Sequence, residues 1–161
     1  MLKGYRMTIV NVIQSMLAPG IMISACGLLL LGMNNKYSIV VGRIRLLNEE
    51  KRKFLAKASK ESFAYSDEVR VESIQTQLSL LLFRVRMVRN AVFSYSSAVG
   101  LFVLTSLIIG LAFATKLEYL EQVVLVFFSL GMLSVFIGIG FAAFETLRGF
   151  QIITYEIKVD E

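Results

Sequence analysis

The stretch that decides the fold is VESIQTQLSLLLFRVRMVRNAVFSYSSAVGLF, residues 71–102. Its apolar residues recur at alternating spacings of three and four, the pattern of a helix face that packs against another helix. No Gly or Pro interrupts this pattern where it continues into the apolar residues after Asn90. We therefore predict one continuous helix from about Asp67 to Thr115. Its packing face, called the seam below, consists of Val71, Ile74, Leu78, Leu81, Val85, Val88, Val92, Tyr95, Val99 and Phe102.

The composition of the whole chain predicts an integral membrane protein. Of 161 residues, 56% are hydrophobic and 18% are charged, and the mean hydropathy is +0.68. So few polar residues cannot cover the surface of a soluble monomer of this size. Three apolar stretches, residues 8–33, 91–115 and 122–144, are each long enough to cross a bilayer, which takes about 20 helical residues. The predicted fold is all-α with three transmembrane helices; residues 1–33 hold the first, kinked at Pro19.

The charge distribution predicts the topology. Residues 34–90 carry 12 Lys or Arg and six Asp or Glu, whereas the rest of the chain has a net charge of −1. Because Lys and Arg near span ends stay in the cytoplasm, we expect 34–90 to be cytoplasmic and the N-terminus to lie outside. The tail, 145–161, is then cytoplasmic as well. The expected location is the bacterial cytoplasmic (inner) membrane.

The basic segment 34–90 reads as two amphipathic arms separated by a turn near residues 59–65. We predict an antiparallel, coiled-coil-like helical hairpin whose second helix is continuous with the second span. The seam packs against the first arm, and we expect it also to build an oligomer through Val71, Ile74, Leu78, Leu81, Val85 and Val88.

Three arginines, Arg84, Arg86 and Arg89, precede the second span. We expect them to bind anionic lipid headgroups, which attract juxtamembrane cations. Nucleic acid is not an expected partner, because acidic residues are interleaved with the basic ones and no array of stacking aromatic residues accompanies them.

Residue types that carry catalysis are scarce. The chain has no His and a single Cys, and no Asp, Glu, Lys or Arg lies deep within a span. Nucleophilic catalysis needs an activating base, and proton relays in membranes use ionisable side chains. We therefore predict no catalytic residue, no metal site, no cofactor and no enzymatic activity.

Polar and small side chains recur along the spans. The polar candidates for pore lining or for polar helix packing are Asn11, Gln14, Ser15, Thr105, Ser106, Ser134 and Glu145. For Asn11, Gln14 and Ser15, packing is favoured because no charge accompanies them. The small ones predict close helix contacts: Ala18, Ala25, Gly32, Gly110, Ala114, Gly131, Gly138 and Ala142.

The C-terminal tail changes its period. Ile153, Tyr155, Ile157 and Val159 alternate with polar residues, which is the pattern of a half-buried strand. Because a lone strand is unstable, the tail is expected either to pair with another edge as a short strand or to be a coil.

The run SACGLLLLGMNNKYSIVVGRIRLLNEE, residues 24–50, resembles a family of small bacterial membrane proteins that are predicted to have three spans and have no assigned function. The preceding Leu17-Ala18-Pro19-Gly20 and the basic helix before the last two spans fit the same family. The resemblance implies the three-span fold, and it supplies no catalytic residue because none is established in that family. In topology alone, the chain is similar to proton-channel subunits of ion-driven motors that energise outer-membrane transport, which form rings around a partner.

Two functional hypotheses follow. The first is a non-enzymatic, homo-oligomeric helical assembly in the membrane that forms a pore, an ion channel or a scaffold around a partner helix. The second is an accessory or scaffold subunit of a larger complex, which would bind a partner membrane protein through the same faces.

Overall fold

The computed structural model describes residues 9–58, 65–115, 117 and 119–159. They form three helices: α1, Ile9–Ala58, of 50 residues; α2, Tyr65–Thr115, of 51 residues; and α3, Tyr119–Val159, of 41 residues. Each helix contains a stretch long and apolar enough to cross a membrane. The predicted all-helical fold with three candidate membrane-spanning helices is confirmed, and α2 covers the predicted range 67–115 without a break.

The predicted C-terminal strand is wrong. Helix α3 continues through Val159, so Ile153, Tyr155, Ile157 and Val159 are helical, and the described residues contain no strand. A helix pairs its backbone N–H and C=O groups within itself, whereas a strand needs a neighbouring edge. An alternating pattern of only seven residues does not outweigh propagation of a helix already formed upstream.

Pro19 lies inside α1 and is buried. The helix neither begins nor ends there, because neighbouring groups in a long membrane helix tolerate the missing backbone donor. The predicted kink at this position stays a prediction.

The chain divides into two compact units. The first unit is Met1–Gly32 with Ala91–Gly140, and the second is Met33–Asn90 with Phe141–Glu161. Each helix therefore contributes one segment to each unit.

The core of the first unit is built from residues at intervals of seven. Val12, Pro19 and Cys26 are the buried positions of its α1 segment. On α2, Tyr95 and Phe102 are almost fully buried. A repeat of seven keeps one helix face turned toward its neighbours over many turns.

The core of the second unit has the same period. Its α1 segment buries Met33, Val40 and Leu47, and its α2 segment buries Ile74 and Val88. The remaining predicted seam residues are half-buried in the single chain: Val71, Leu78, Leu81, Val85, Val92 and Val99. Much of the seam is thus covered by the chain's own helices, and its role in oligomer formation stays a prediction.

Candidate functional site

A buried carboxylate, that of Glu145, binds two cations in the second unit. Its side chain is only 1% exposed. Arg84 donates to Oε1 from Nε at 3.1 Å and from Nη2 at 2.7 Å. Lys36 Nζ donates to Oε2 at 3.1 Å. Both carboxylate oxygens are therefore occupied by charge-assisted hydrogen bonds, which a buried charge requires.

The three residues of this charge cluster, Lys36, Arg84 and Glu145, come from three different helices. Lys36 lies on α1, Arg84 on α2 and Glu145 on α3. One carboxylate thus connects all three helix segments of the second unit. Removing one partner from such a buried group leaves uncompensated charge and typically costs about 3–5 kcal/mol.

Two neighbours on α3 complete the cluster. Thr146 Oγ1 accepts a hydrogen bond from Lys36 Nζ at 3.0 Å and donates to the Ala142 carbonyl at 3.0 Å. Gly149 lies one turn after Glu145 and is buried. A Cβ at position 149 would be 3.2 Å from Arg84 Nη2. The glycine therefore leaves room for the guanidinium beside the helix backbone.

The two cations differ in their access to solvent. The Lys36 side chain is 46% exposed and the Arg84 side chain 27%. The cluster holds two positive charges and one negative charge, so it has a net charge of +1. The excess charge is accessible mainly through Lys36. Chemically, this arrangement can join helices and attract an anion.

Two members of the charge cluster mark the ends of uncharged stretches. Residues 7–35 carry no charged side chain, and Lys36 is the first one after them. Likewise, Glu145 is the first charged residue after the uncharged residues 122–144. Arg84 and Glu145 were predicted from the sequence as separate site residues, but their pairing was not predicted, and Lys36 was not among the candidates.

In the first unit, glycines of α3 receive aromatic rings of α2. A Cβ at Gly131 would lie 2.7 Å from a ring carbon of Phe102, and one at Gly138 would lie 2.6 Å from a ring carbon of Tyr95. Phe102 also contacts Phe128, with ring centroids 5.5 Å apart. These rings approach the α3 backbone as closely as they do because both positions lack a side chain.

The other predicted small residues have mixed environments. A Cβ at Gly110 would lie 3.3 Å from the Met16 methyl group, and Ala142 is half-buried. In the single chain the remaining four, Ala18, Ala25, Gly32 and Ala114, are exposed, and their role in packing stays a prediction.

Most of the polar candidates in the spans donate to backbone carbonyl groups. Ser15 donates to the Asn11 carbonyl at 2.8 Å. Ser134 donates across helices to the Ser94 carbonyl at 2.8 Å. Thr105 is 1% exposed and donates to Leu101, and Ser106 donates to Phe102.

Gln14 differs from these hydroxyl groups. Its side chain is exposed and forms no hydrogen bond with the part of the chain that the structure describes. Asn11, one turn earlier, is half-buried. An amide carries two N–H donors and a carbonyl acceptor, so Gln14 presents unsatisfied groups on the surface of α1.

The remaining predicted headgroup ligands, Arg86 and Arg89, are exposed, and lipid binding by the three arginines stays a prediction. Within the described ranges, no group of three His, Cys, Asp or Glu side chains comes together as metal ligands would.

Comparison with family models relates most of the chain to a described family. Residues 16–154 match a family described as protein of unknown function (DUF2721). The match covers most of the chain and confirms the resemblance drawn from residues 24–50 to a family without an assigned function. No curated protein and no solved structure matches the chain.

Proposed function

The chain belongs to this family of unknown function, and we propose that it is a non-enzymatic, homo-oligomeric membrane protein. Residues 8–33, 91–115 and 122–144 cross the bacterial cytoplasmic membrane. The N-terminus lies outside, and residues 34–90 and the C-terminal segment lie in the cytoplasm. Lipids with anionic headgroups and further copies of the same chain are its partners.

The charge cluster supports this topology. Lys36 follows the first uncharged stretch, Glu145 follows the third, and Arg84 precedes the second. Their hydrogen bonds bring together the ends that the positive-inside rule assigns to the cytoplasm. A charged group at a span end can remain in contact with water and headgroups, whereas one at the bilayer centre is costly.

Cross-helix contacts support the predicted hairpin in 34–90. Arg70 Nη2 donates to Glu50 Oε1 at 2.8 Å, toward the turn that separates the two arms. At the other end of the arms, Lys36 and Arg84 bind the same carboxylate. Glu50, late in the first arm, thus contacts Arg70, early in the second arm. Lys36, early in the first arm, and Arg84, late in the second arm, share the Glu145 carboxylate. This is the order expected of antiparallel arms.

The observation that carries the oligomer proposal is the exposed amide of Gln14. It lies inside the uncharged stretch 7–35, where hydrocarbon offers no hydrogen-bond partner. Leaving a polar amide unsatisfied in such surroundings costs several kcal/mol, so a second helix is expected to cover it. A glutamine amide is both donor and acceptor, so Gln14 of one copy can bind Gln14 of another across a two-fold axis.

A pore in this assembly would be lined by α1. Gln14 and Ser15 are exposed in the single chain and Asn11 is half-buried, whereas Thr105 is buried within the chain. The first three are therefore the better candidates for a lumen between copies. The alternative function is that of an accessory subunit, in which a helix of a foreign membrane protein covers Gln14.

The test is disulfide cross-linking in native membranes. An Ala18→Cys variant in a Cys26→Ala background keeps the Gln14 amide and places a thiol one turn further along the same exposed face of α1. It is compared with Ile13→Cys, which is also exposed but lies about 100° around the helix from Gln14. We expect cross-linked homomers to form readily at position 18 and weakly at position 13. A monomer under all conditions would refute the proposal. A cross-link to a different protein would establish the accessory subunit instead.

A further inference from the structure

The charge cluster has unused binding capacity for an anion. Lys36 Nζ carries three N–H donors, and two of them bind Glu145 and Thr146. No third acceptor is found among the described residues. Because the Lys36 side chain is half-exposed, this donor can reach a ligand without displacing either protein partner.

The sequence around Lys36 has the character of a membrane interface. Asn34 and Asn35 are exposed and precede it, and Tyr37 follows with 39% of its surface exposed. Tyrosine is enriched at the level of the headgroups, and Lys at a span end extends its ammonium toward them. These residues end the uncharged stretch 7–35.

We propose that Lys36 binds the phosphate of an acidic phospholipid headgroup, at the point where Glu145 holds Lys36 and Arg84 together. The net charge of +1 supplies the attraction, and the exposed ammonium of Lys36 supplies the hydrogen bond. Glu145 acts as a positioning residue, since its carboxylate keeps Lys36 against the end of α3. This inference rests on the membrane topology proposed above, because it needs Lys36 at the headgroup level.

The experiment measures lipid retention by native mass spectrometry. The full chain is purified from bilayers of phosphatidylcholine mixed with phosphatidylglycerol, and the bound phosphatidylglycerol is counted. Lys36→Gln is the test variant. Lys53→Gln is its matched control, since it removes the same charge from an exposed lysine that pairs with Glu49 on its own helix.

We expect Lys36→Gln to retain phosphatidylglycerol about fivefold more weakly, because one lysine near an anionic surface contributes about 1 kcal/mol and 1.4 kcal/mol is tenfold. Lys53→Gln should behave like the unmodified chain. Lys36→Arg keeps the cation and should keep the lipid, which separates lost binding from lost folding. Equal retention in Lys36→Gln and the unmodified chain, or equal loss in the Lys53→Gln control, would overturn the proposal.

Two further arms identify the ligand and separate the two proposals. In one arm, inorganic phosphate is added to the chain in bilayers of phosphatidylcholine alone, and thermal stability is measured. If phosphate stabilises the chain there, while the chain retains no phosphatidylglycerol from the mixed bilayers, the lipid is not the occupant. Cross-linking through Ala18→Cys, which leaves Gln14 in place, is then measured in the same bilayers. If lipid retention depends on Lys36 but no cross-link forms, only the oligomer proposal is refuted. If cross-links form but lipid retention does not depend on Lys36, only the proposed headgroup site is refuted.

Discussion

The two compact units use the same spacing of seven on α3 for different side-chain interactions. On α3, Gly131, Gly138 and Glu145 follow one another at intervals of seven. In the first unit, the two glycines receive the rings of Phe102 and Tyr95. In the second unit, the next position holds a carboxylate that binds Lys36 and Arg84. One repeating face thus changes from ring packing to ion pairing.

The difference follows from the driving forces available to each unit. Between membrane helices, hydrocarbon competes with apolar side chains on equal terms, so association depends on close contact, and glycine permits the closest. Near water, a carboxylate that ties several helices together is sustainable when every oxygen is paired. Substitutions that remove one type of contact at a time therefore measure how much each type contributes to the free energy of unfolding.

The largest effect is expected for Glu145→Gln. The neutral amide leaves Arg84 and Lys36 without a counter-charge, and we expect the free energy of unfolding in mild detergent to fall by about 3 kcal/mol. Glu49→Gln is the control, since Glu49 is 64% exposed and pairs with Lys53 on the same helix; its effect should stay below about 0.5 kcal/mol. Equal effects of the two substitutions would show that burial of Glu145 contributes nothing.

An intermediate effect is expected for Gly138→Ala in the first unit. The new methyl group would meet the nearly fully buried ring of Tyr95, and overpacking of this kind costs about 1–3 kcal/mol. Gly140→Ala is the matched control, because nothing lies within 4 Å of its Cβ position. That control should be neutral or stabilising by up to about 1 kcal/mol, since Ala favours helix. Unfolding in mild detergent measures both, and a stabilising Gly138→Ala would contradict the ring contact.

The smallest effect is expected for Glu50→Gln, which breaks the more exposed ion pair with Arg70. The side chains are 35% and 49% exposed, and such pairs contribute about 0.2–1 kcal/mol. Raising the salt concentration should abolish this difference, because mobile ions screen exposed charges, while the Glu145→Gln difference should persist. If added salt also abolished the stability difference caused by Glu145→Gln in the same titration, the Glu145 ion pairs would behave as exposed ones, contrary to this prediction.

Local patterns along the chain were sufficient to predict the helices but not the connections between them. The spacing of three and four from Val71 to Phe102 predicted α2, because a helix face repeats within the segment itself. Gly131 and Gly138 were identified as contact positions for the same reason. The rings that fill them lie 29 residues earlier in the chain for Gly131 and 43 residues earlier for Gly138. Spacing within α3 carries no information about these rings.

The tail and the charge cluster show the limits of local patterns most clearly. The alternation from Ile153 to Val159 resembled a strand, yet the helix arriving from upstream continues through it. Arg84 was predicted to bind lipid because it lies where α2 enters the membrane, and its pairing with Glu145 became visible only in the structure. The sequence held one weak indication that Glu145 lies on a packing face: it continues the spacing of seven set by Gly131 and Gly138.

The amino-acid sequence was sufficient to predict the part of the fold that depends on composition: three long apolar helices and a basic segment between the first two. These properties depend on neighbouring residues and on the amount of apolar surface, both of which can be counted along the chain. Three features became visible only once the helices were packed together: the contact of Lys36 and Arg84 with Glu145, the rings at the glycine positions, and the exposure of Gln14. Such contacts depend on the register between helices, which is set by the packing of all three together.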